Sequence, residues 1–221
     1  MLATAMSVAP TAHAAEPAAA TPAHTAAEPA TRKPAHKVAY LTFDDGPTAA
    51  YTPAVLEILA RHRTKATFFM IGSQAERRPD LLRAVRAQGH AVGNHTFTHP
   101  NLTRSTPAQI ASELARTDAA LGHTTCLRPP GGSTDPRVHR IARAHGLTTV
   151  LWNVDTRDWT RPGASAITAA AVSPLTYRGR SPVILLHDGG GDRSQSVAAL
   201  PGILRSLERQ GYRFETLPAC R

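Results

Sequence analysis

The sequence has no apolar run approaching the roughly 18–20 residues that a membrane-spanning helix needs, which excludes such a span. It has only two cysteines, too few for a Cys-only zinc site or a disulfide-dense miniprotein. Aromatic residues make up 5%, and the Lys and Arg residues are scattered rather than gathered into a basic arm. Few aromatics for base stacking and no basic arm both weigh against a nucleic-acid binder. Acidic residues are the scarcer sign, Asp+Glu 16 against Lys+Arg 25, a formal net charge of +9. Residues 1–36 hold Arg32 and Lys33 against Glu16 and Glu28, so the whole surplus lies in residues 37–221. A surplus of this kind is either a merely Arg-rich composition or a surface suited to an anionic polymer.

What is present is enough for one domain. A chain of 221 residues, 42% hydrophobic and 19% charged, reads as a single globular core and is short for two. The first 36 residues, with 14 Ala and 5 Pro, cannot build one. Within them Ala12-His13-Ala14 followed by Ala15 has the A-x-A pattern of a signal-peptidase site, preceded by the end of an apolar segment. Residues 1–36 are thus expected to be the remnant of a secretion signal and an Ala/Pro-rich linker, with residues 37–221 as the domain. Export would let Cys126 and Cys220 pair; two unpaired thiols are the alternative.

From Lys37 the pattern alternates strand and helix. Strands are expected at Lys37–Phe43, Ala66–Ile71, His90–Asn94, Cys126–Arg128, Thr148–Val154, Pro182–Leu186 and Tyr212–Thr216. Between them helices are expected from Thr52-Pro53 with Thr52 as N-cap, over Pro79–Gln88, from the capping box at Thr106–Gln109 to Leu121, after Asp135-Pro136, near Ala164–Val172, and over Val197–Gln210. Seven or eight β-then-α units imply a parallel sheet in one domain. A distorted (β/α)7-8 barrel fits best, with an open doubly wound sheet as the alternative.

Ionisable residues follow the strands at five places: Asp44-Asp45-Gly46-Pro47, His95 through His99, Arg128 through Gly132, Asp155 through Trp159, and His187-Asp188-Gly189. Polar loops are common, but five such clusters at C-terminal strand ends are where a parallel barrel builds its site. His95 and His99, four apart, project from one face of a helical turn and can share a metal with a carboxylate from Asp44 or Asp45. One aspartate would then bind metal and its neighbour would take a proton from water. The bland reading of Asp-Asp-Gly-Pro is a tight turn. His187 is a second titratable group, able to protonate a leaving group, with Asp155 or Asp158 to hold it. Arg128 can orient the base carboxylate, and Gly131 has the free N–H that Pro129 and Pro130 lack. Trp159 lines a sugar or fills the core.

Taken in order and spacing, TFDDGP, HTFTH, RPPGG, DTRDW and ILLHD resemble the motifs of polysaccharide deacetylases of the NodB-homology type, carbohydrate esterase family 4. The resemblance runs from about Lys37 to the C-terminus. It implies a distorted barrel that hydrolyses acetyl groups on a glycan. It implies Asp44 as general base, Asp45, His95 and His99 as metal ligands, Arg128 as the orienter of Asp44, and Gly131 as oxyanion donor. It further implies Asp158 tuning His187 as general acid, with Trp159, Leu185 and Pro130 towards the substrate. Many members have Tyr after the two prolines, where this chain has Gly131. The expected cofactor is Zn2+, with Co2+ or another divalent ion able to substitute. The expected partner is an acetylated glycan: peptidoglycan, chitin oligosaccharide or xylan. No nucleic acid is expected, and the protein is expected to be a secreted, wall-associated monomer. The rival functions are an acetyl xylan esterase and a non-catalytic glycan-binding domain.

Overall fold

The computed structural model describes residues 1–3, 37–173 and 180–221; the Ala12-His13-Ala14 pattern and the linker lie outside them. The chain divides into two units, Met1–Ala35 and His36–Arg221, and every element and site residue below belongs to the second. In chain order these are β1 (Lys37–Asp44), α1 (Thr52–Arg61), β2 (Thr67–Met70), α2 (Gly72–Arg77), α3 (Pro79–Ala87) and β3 (Ala91–Asn94). There follow α4 (Pro107–Leu121), β4 (Cys126–Leu127), α5 (Pro136–Ala144), β5 (Thr148–Thr149) and β6 (Val154–Asp155). The last are α6 (Ala164–Val172), β7 (Val183–His187), α7 (Ser194–Arg209) and β8 (Tyr212–Phe214).

The strands run in the order β5-β4-β3-β2-β1-β7-β6, all parallel, and β8 pairs with Lys37–Ala39 of β1. The curled sheet stays open between β5 and β6, which makes a distorted barrel. Parallel strands covered on both faces need apolar side chains in succession, and Thr67–Met70 is buried at all four positions. Phe43 and Phe68 stack in the core at 5.1 Å, with Leu41, Leu59, Ile184 and Leu204 around them. Helix entry follows local chemistry. Thr106 and Gln109 form the expected capping box, and Asp135 accepts from Val138 N at 2.8 Å. Cys126 on β4 is bonded to Cys220, 94 residues on, with Cα atoms 5.0 Å apart.

The structure corrects several sequence readings. The single strand expected at Thr148–Val154 is two short ones: β5 pairs with β4, and β6 with β7. Residues 150–153 between them carry the chain from one end of the sheet to the other, a change of partner that β-propensity does not encode. Thr52 does not cap α1; the N-cap is Tyr51, and the Thr52 hydroxyl instead donates to Asp188 Oδ2 at 2.5 Å. The hydroxyl oxygen accepts from Thr48 N at 2.8 Å, so the hydroxyl is engaged on both sides away from the first-turn N–H groups a cap would serve. The sequence reading also missed α2, whose six residues are too few to show a period, and started α7 three residues late.

Candidate active site

The central strand sets the site. In register, Asp44 pairs with His187 of β7 on one side and with Phe69 of β2 on the other. Asp44 and His187 therefore end their strands side by side. Beyond Asp44 the chain turns sharply: Asp45 has φ 72°, a left-handed conformation, so the two adjacent carboxylates diverge. Asp44 Oδ1 accepts from the Arg128 guanidinium at 2.9 Å. Arg128 is 0% exposed; it also donates to Thr42 Oγ1 (2.7 Å), Leu151 O (3.1 Å) and Val150 O (3.3 Å), and its guanidinium lies 4.1 Å from the Phe69 ring centre. A buried cation held on so many sides fixes one oxygen of Asp44.

Asp45 turns the other way. Its Oδ1 is buried without a hydrogen-bond partner and lies 3.3 Å from His95 Nε2 and 3.2 Å from His99 Nε2. Burial pushes the Asp45 carboxyl up, but the two imidazoles outweigh it and hold it far below the usual carboxylate range. Asp45 in turn raises His99 above its ordinary value. His95 Nδ1 lies 2.7 Å from the carbonyl oxygen of Arg128 and donates to it, which leaves Nε2, beside Asp45, as the ring nitrogen able to ligate a cation. Two imidazole nitrogens and an orphaned carboxylate oxygen, their ligand atoms within 4.8 Å of one another, form a donor set that fits a divalent cation. The two histidines do not share a helical turn as their spacing suggested. They sit on a loop in which Thr96 (φ 65°) and His99 (φ 63°) are left-handed.

Across the site His187 Nδ1 lies 2.7 Å from Asp158 Oδ1. Asp158 Oδ2 accepts from His187 N at 2.9 Å and from Ser196 Oγ at 2.6 Å. Burial draws the His187 pKa down, but the Asp158 carboxylate, with Asp44 and Asp45 beyond it, outweighs burial and holds it above the ordinary value. Asp158 meets the opposite balance: burial pushes it up, and its bonds to His187 and Ser196 hold it lower. Asp155, the other candidate, is exposed and accepts from Arg157 N at 2.9 Å.

These groups open onto a cleft of about 310 Å³. Gly131, with φ 59°, lies on its wall, as do Leu185 and Trp159, the latter 51% exposed. Pro130 is buried and is not among the lining residues. Two lining residues escaped the sequence reading. Trp152 lies in the segment taken for plain strand, and Arg193 follows a glycine run that reads as a loop. Arg193 donates to Gly189 O (2.7 Å) and Gly190 O (2.9 Å). Only glycine fits at 189 and 190, because a Cβ there would collide with the Asp45 carbonyl oxygen and carboxylate.

Known proteins resemble this chain over most of its length. Residues 31–150 match the family described as polysaccharide deacetylase. The chain is 40% identical over 188 residues to a peptidoglycan-N-acetylglucosamine deacetylase of Bacillus cereus, covering 82% of this chain and 86% of that protein. It is 40% identical over 198 residues to a chitooligosaccharide deacetylase of Sinorhizobium fredii, covering 81% and 89%. Among solved structures, a family 4 carbohydrate esterase from Streptomyces lividans in complex with acetate superposes with a TM-score of 0.77 at 34% identity, covering 83% of this chain and 94% of that one.

Proposed function

Since this chain belongs to the polysaccharide deacetylase family and is a hydrolase of N-acetyl amide bonds on polysaccharides, we propose that it is a secreted, metal-dependent enzyme acting on N-acetylglucosamine-containing polymers, peptidoglycan or chitin oligosaccharides. The observation that carries this reading is the pairing of Asp44 and His187 in register beside the Asp45–His95–His99 cluster.

Asp45, His95 and His99 would hold the cation, which when bound supplies Lewis acidity to the acetyl carbonyl and to water. Asp44, with Oδ1 tied to Arg128, keeps Oδ2 for the water proton. Oxygen bonds to the acetyl carbon as that proton leaves, and the negative charge developing on the carbonyl oxygen falls to the Gly131 N–H. His187 keeps Nδ1 for Asp158, so Nε2 is the nitrogen that delivers a proton to the departing amine. The C–N bond breaks, and acetate and a free amino sugar result. Leu185 and Trp159 form the wall that receives the acetyl group and the sugar.

Two features support export: the Cys126–Cys220 pair, of a kind that persists in oxidising compartments, and the Ala12-His13-Ala14 pattern. The net charge of +9 suits an anionic cell wall. The test is mass spectrometry of chitin oligomers, peptidoglycan fragments and acetylated xylan oligomers incubated with the protein and Zn2+, with a chelator arm. Loss of acetyl from N-acetylglucosamine polymers, abolished by chelator and by Asp44→Asn, is expected. Turnover confined to xylan acetate would replace the amidase reading by an esterase one, and turnover undiminished by chelator would refute metal dependence.

A further inference from the structure

Glu113 belongs to none of the sequence motifs. It lies in the middle of α4, on the helix that follows the histidine loop. That loop has to hold two non-glycine residues, Thr96 and His99, in the left-handed region, and such a conformation persists only where surrounding contacts over-determine it. Two restraints are internal. Asn94 Oδ1 accepts from Thr96 N at 2.9 Å, and Thr96 Oγ1 accepts from His99 N at 3.1 Å. Two come from α2, where Gly72 N and Ser73 N donate to Thr96 O (3.0 Å) and Phe97 O (3.1 Å), and three more converge on one carboxylate. Glu113 Oε2 accepts from Phe97 N at 2.8 Å and from Thr98 N at 2.7 Å, and Oε1 accepts from Thr98 Oγ1 at 2.8 Å.

The two histidines depend on this tether unequally. His95 is fully buried and held twice elsewhere, through its N–H to Met70 O (3.0 Å) and its ring to Arg128 O. His99 has a side chain 40% exposed, and the residue before it, Thr98, is the one bonded twice to Glu113. Apart from its own N–H on Thr96 Oγ1, His99 thus has its nearest side-chain anchor at Thr98, so loosening Thr98 bears on His99 more than on His95.

We propose that Glu113 is the positioning residue of the metal loop: it sets the affinity for the divalent cation by holding His99 at Asp45, without touching cation or substrate. This rests on the metal-site reading above. Partners that orient metal ligands from behind typically change affinity by about 10–100-fold when removed. Glu113→Ala loses all three bonds and is expected to weaken Zn2+ binding by a factor in that range. Glu113→Gln is the conservative variant. Its amide oxygen still accepts from both N–H groups, and the Thr98 hydroxyl can reverse to accept from its amide NH2, so affinity is expected to stay within about threefold of wild type.

The experiment is competition of the full chain with a chromogenic chelator for Zn2+, together with thermal unfolding in excess chelator and deacetylation at saturating Zn2+. The expected result is a raised Zn2+ Kd in Glu113→Ala, near-recovery in Glu113→Gln, and a kcat that returns towards wild type once the site is saturated. A Kd unchanged in Glu113→Ala, whatever happens to its unfolding temperature, overturns the proposal. Should Glu113→Ala fail to fold, Thr98→Ala removes one of the three bonds from an exposed residue, and an unchanged Kd there overturns it equally. Failure of the wild type to bind Zn2+ is a separate outcome: it removes the metal-site reading itself, and this inference with it.

Discussion

Replacing Asp158 by Asn tests the acid half of the site with almost no change of shape. Asp158 faces three donors: the His187 ring at 2.7 Å, His187 N at 2.9 Å and Ser196 Oγ at 2.6 Å. An Asn can present its oxygen to only one side. Two donors lie on the Oδ2 side and one on the other, so the amide oxygen turns to the backbone and Ser196. The NH2 then faces His187 Nδ1, which must give up its proton. Burial, until then outweighed by Asp158, now acts on the imidazole with only Asp44 and Asp45 against it, so its pKa falls.

The lost interaction is a hydrogen bond to a charged group, worth about 1.5–3 kcal/mol. At about 1.4 kcal/mol per pH unit that is a shift of about 1–2 units. A general acid works only while protonated, so kcat/KM is level below its pKa and falls above it. The wild-type alkaline limb should therefore lie above the ordinary imidazole value, and in Asp158→Asn it should move down by about 1–2 units. On the remaining plateau the rate should drop by about 10²–10⁴, the usual worth of a positioned acid. The assay is free-amine release from an N-acetylglucosamine oligomer between pH 5 and 9, with metal content measured alongside. An alkaline limb that stays in place while metal content is intact would show that Asp158 does not govern the acid.

Two predictions concern stability. Asp188 is fully buried with Oδ1 unpartnered, and burial raises its pKa from 3.8 to about 7. The folded form thus holds a proton that the unfolded chain releases near pH 4, so this group's contribution is intact below pH 4 and lost as pH rises towards 7. Asp188→Asn lacks that loss. Its unfolding free energy should exceed the wild type's by a margin that widens by up to about 4 kcal/mol between pH 4 and 8, and a margin constant with pH refutes the buried-acid reading. For the Cys126–Cys220 pair, a loop of 94 residues corresponds to about 4–5 kcal/mol in the chain-entropy model. Urea unfolding with and without reductant should differ by an amount of that order; coincident midpoints would mean that the cross-link adds no stability.

The legible part of this protein was local. A strand ending in Asp-Asp-Gly-Pro, two histidines four apart, a histidine closing an apolar strand and a capping box all have short-range signatures, and these placed the ionisable groups at strand ends. Helix starts followed from a cap residue and a proline beside a periodic face at Thr106 and Asp135. The reading failed where the partner was distant. Thr52 has the right side chain for an N-cap, but its hydroxyl serves Asp188, 136 residues on. Residues 148–154, rich in Thr, Val and Trp, read as one β-prone segment but belong to two strands with different neighbours.

The sequence by itself determined which chemistry the chain carries, because a residue's acidity, basicity or missing N–H goes with its type. Residue type by itself left two equivalent candidates at each place, and the tertiary structure decided which neighbours each of them meets. Asp44 ends β1 beside His187 of β7 and meets the long Arg128 side chain, which reaches across from the end of β4, while a left-handed turn swings Asp45 towards His95 and His99. Asp158 rather than Asp155 meets His187, and Glu113, Trp152 and Arg193 reach the site from segments without a motif. The physical reason is that helix and strand periods fix faces over a few residues. The order in which parallel strands lie side by side is set by burying the whole sheet at once.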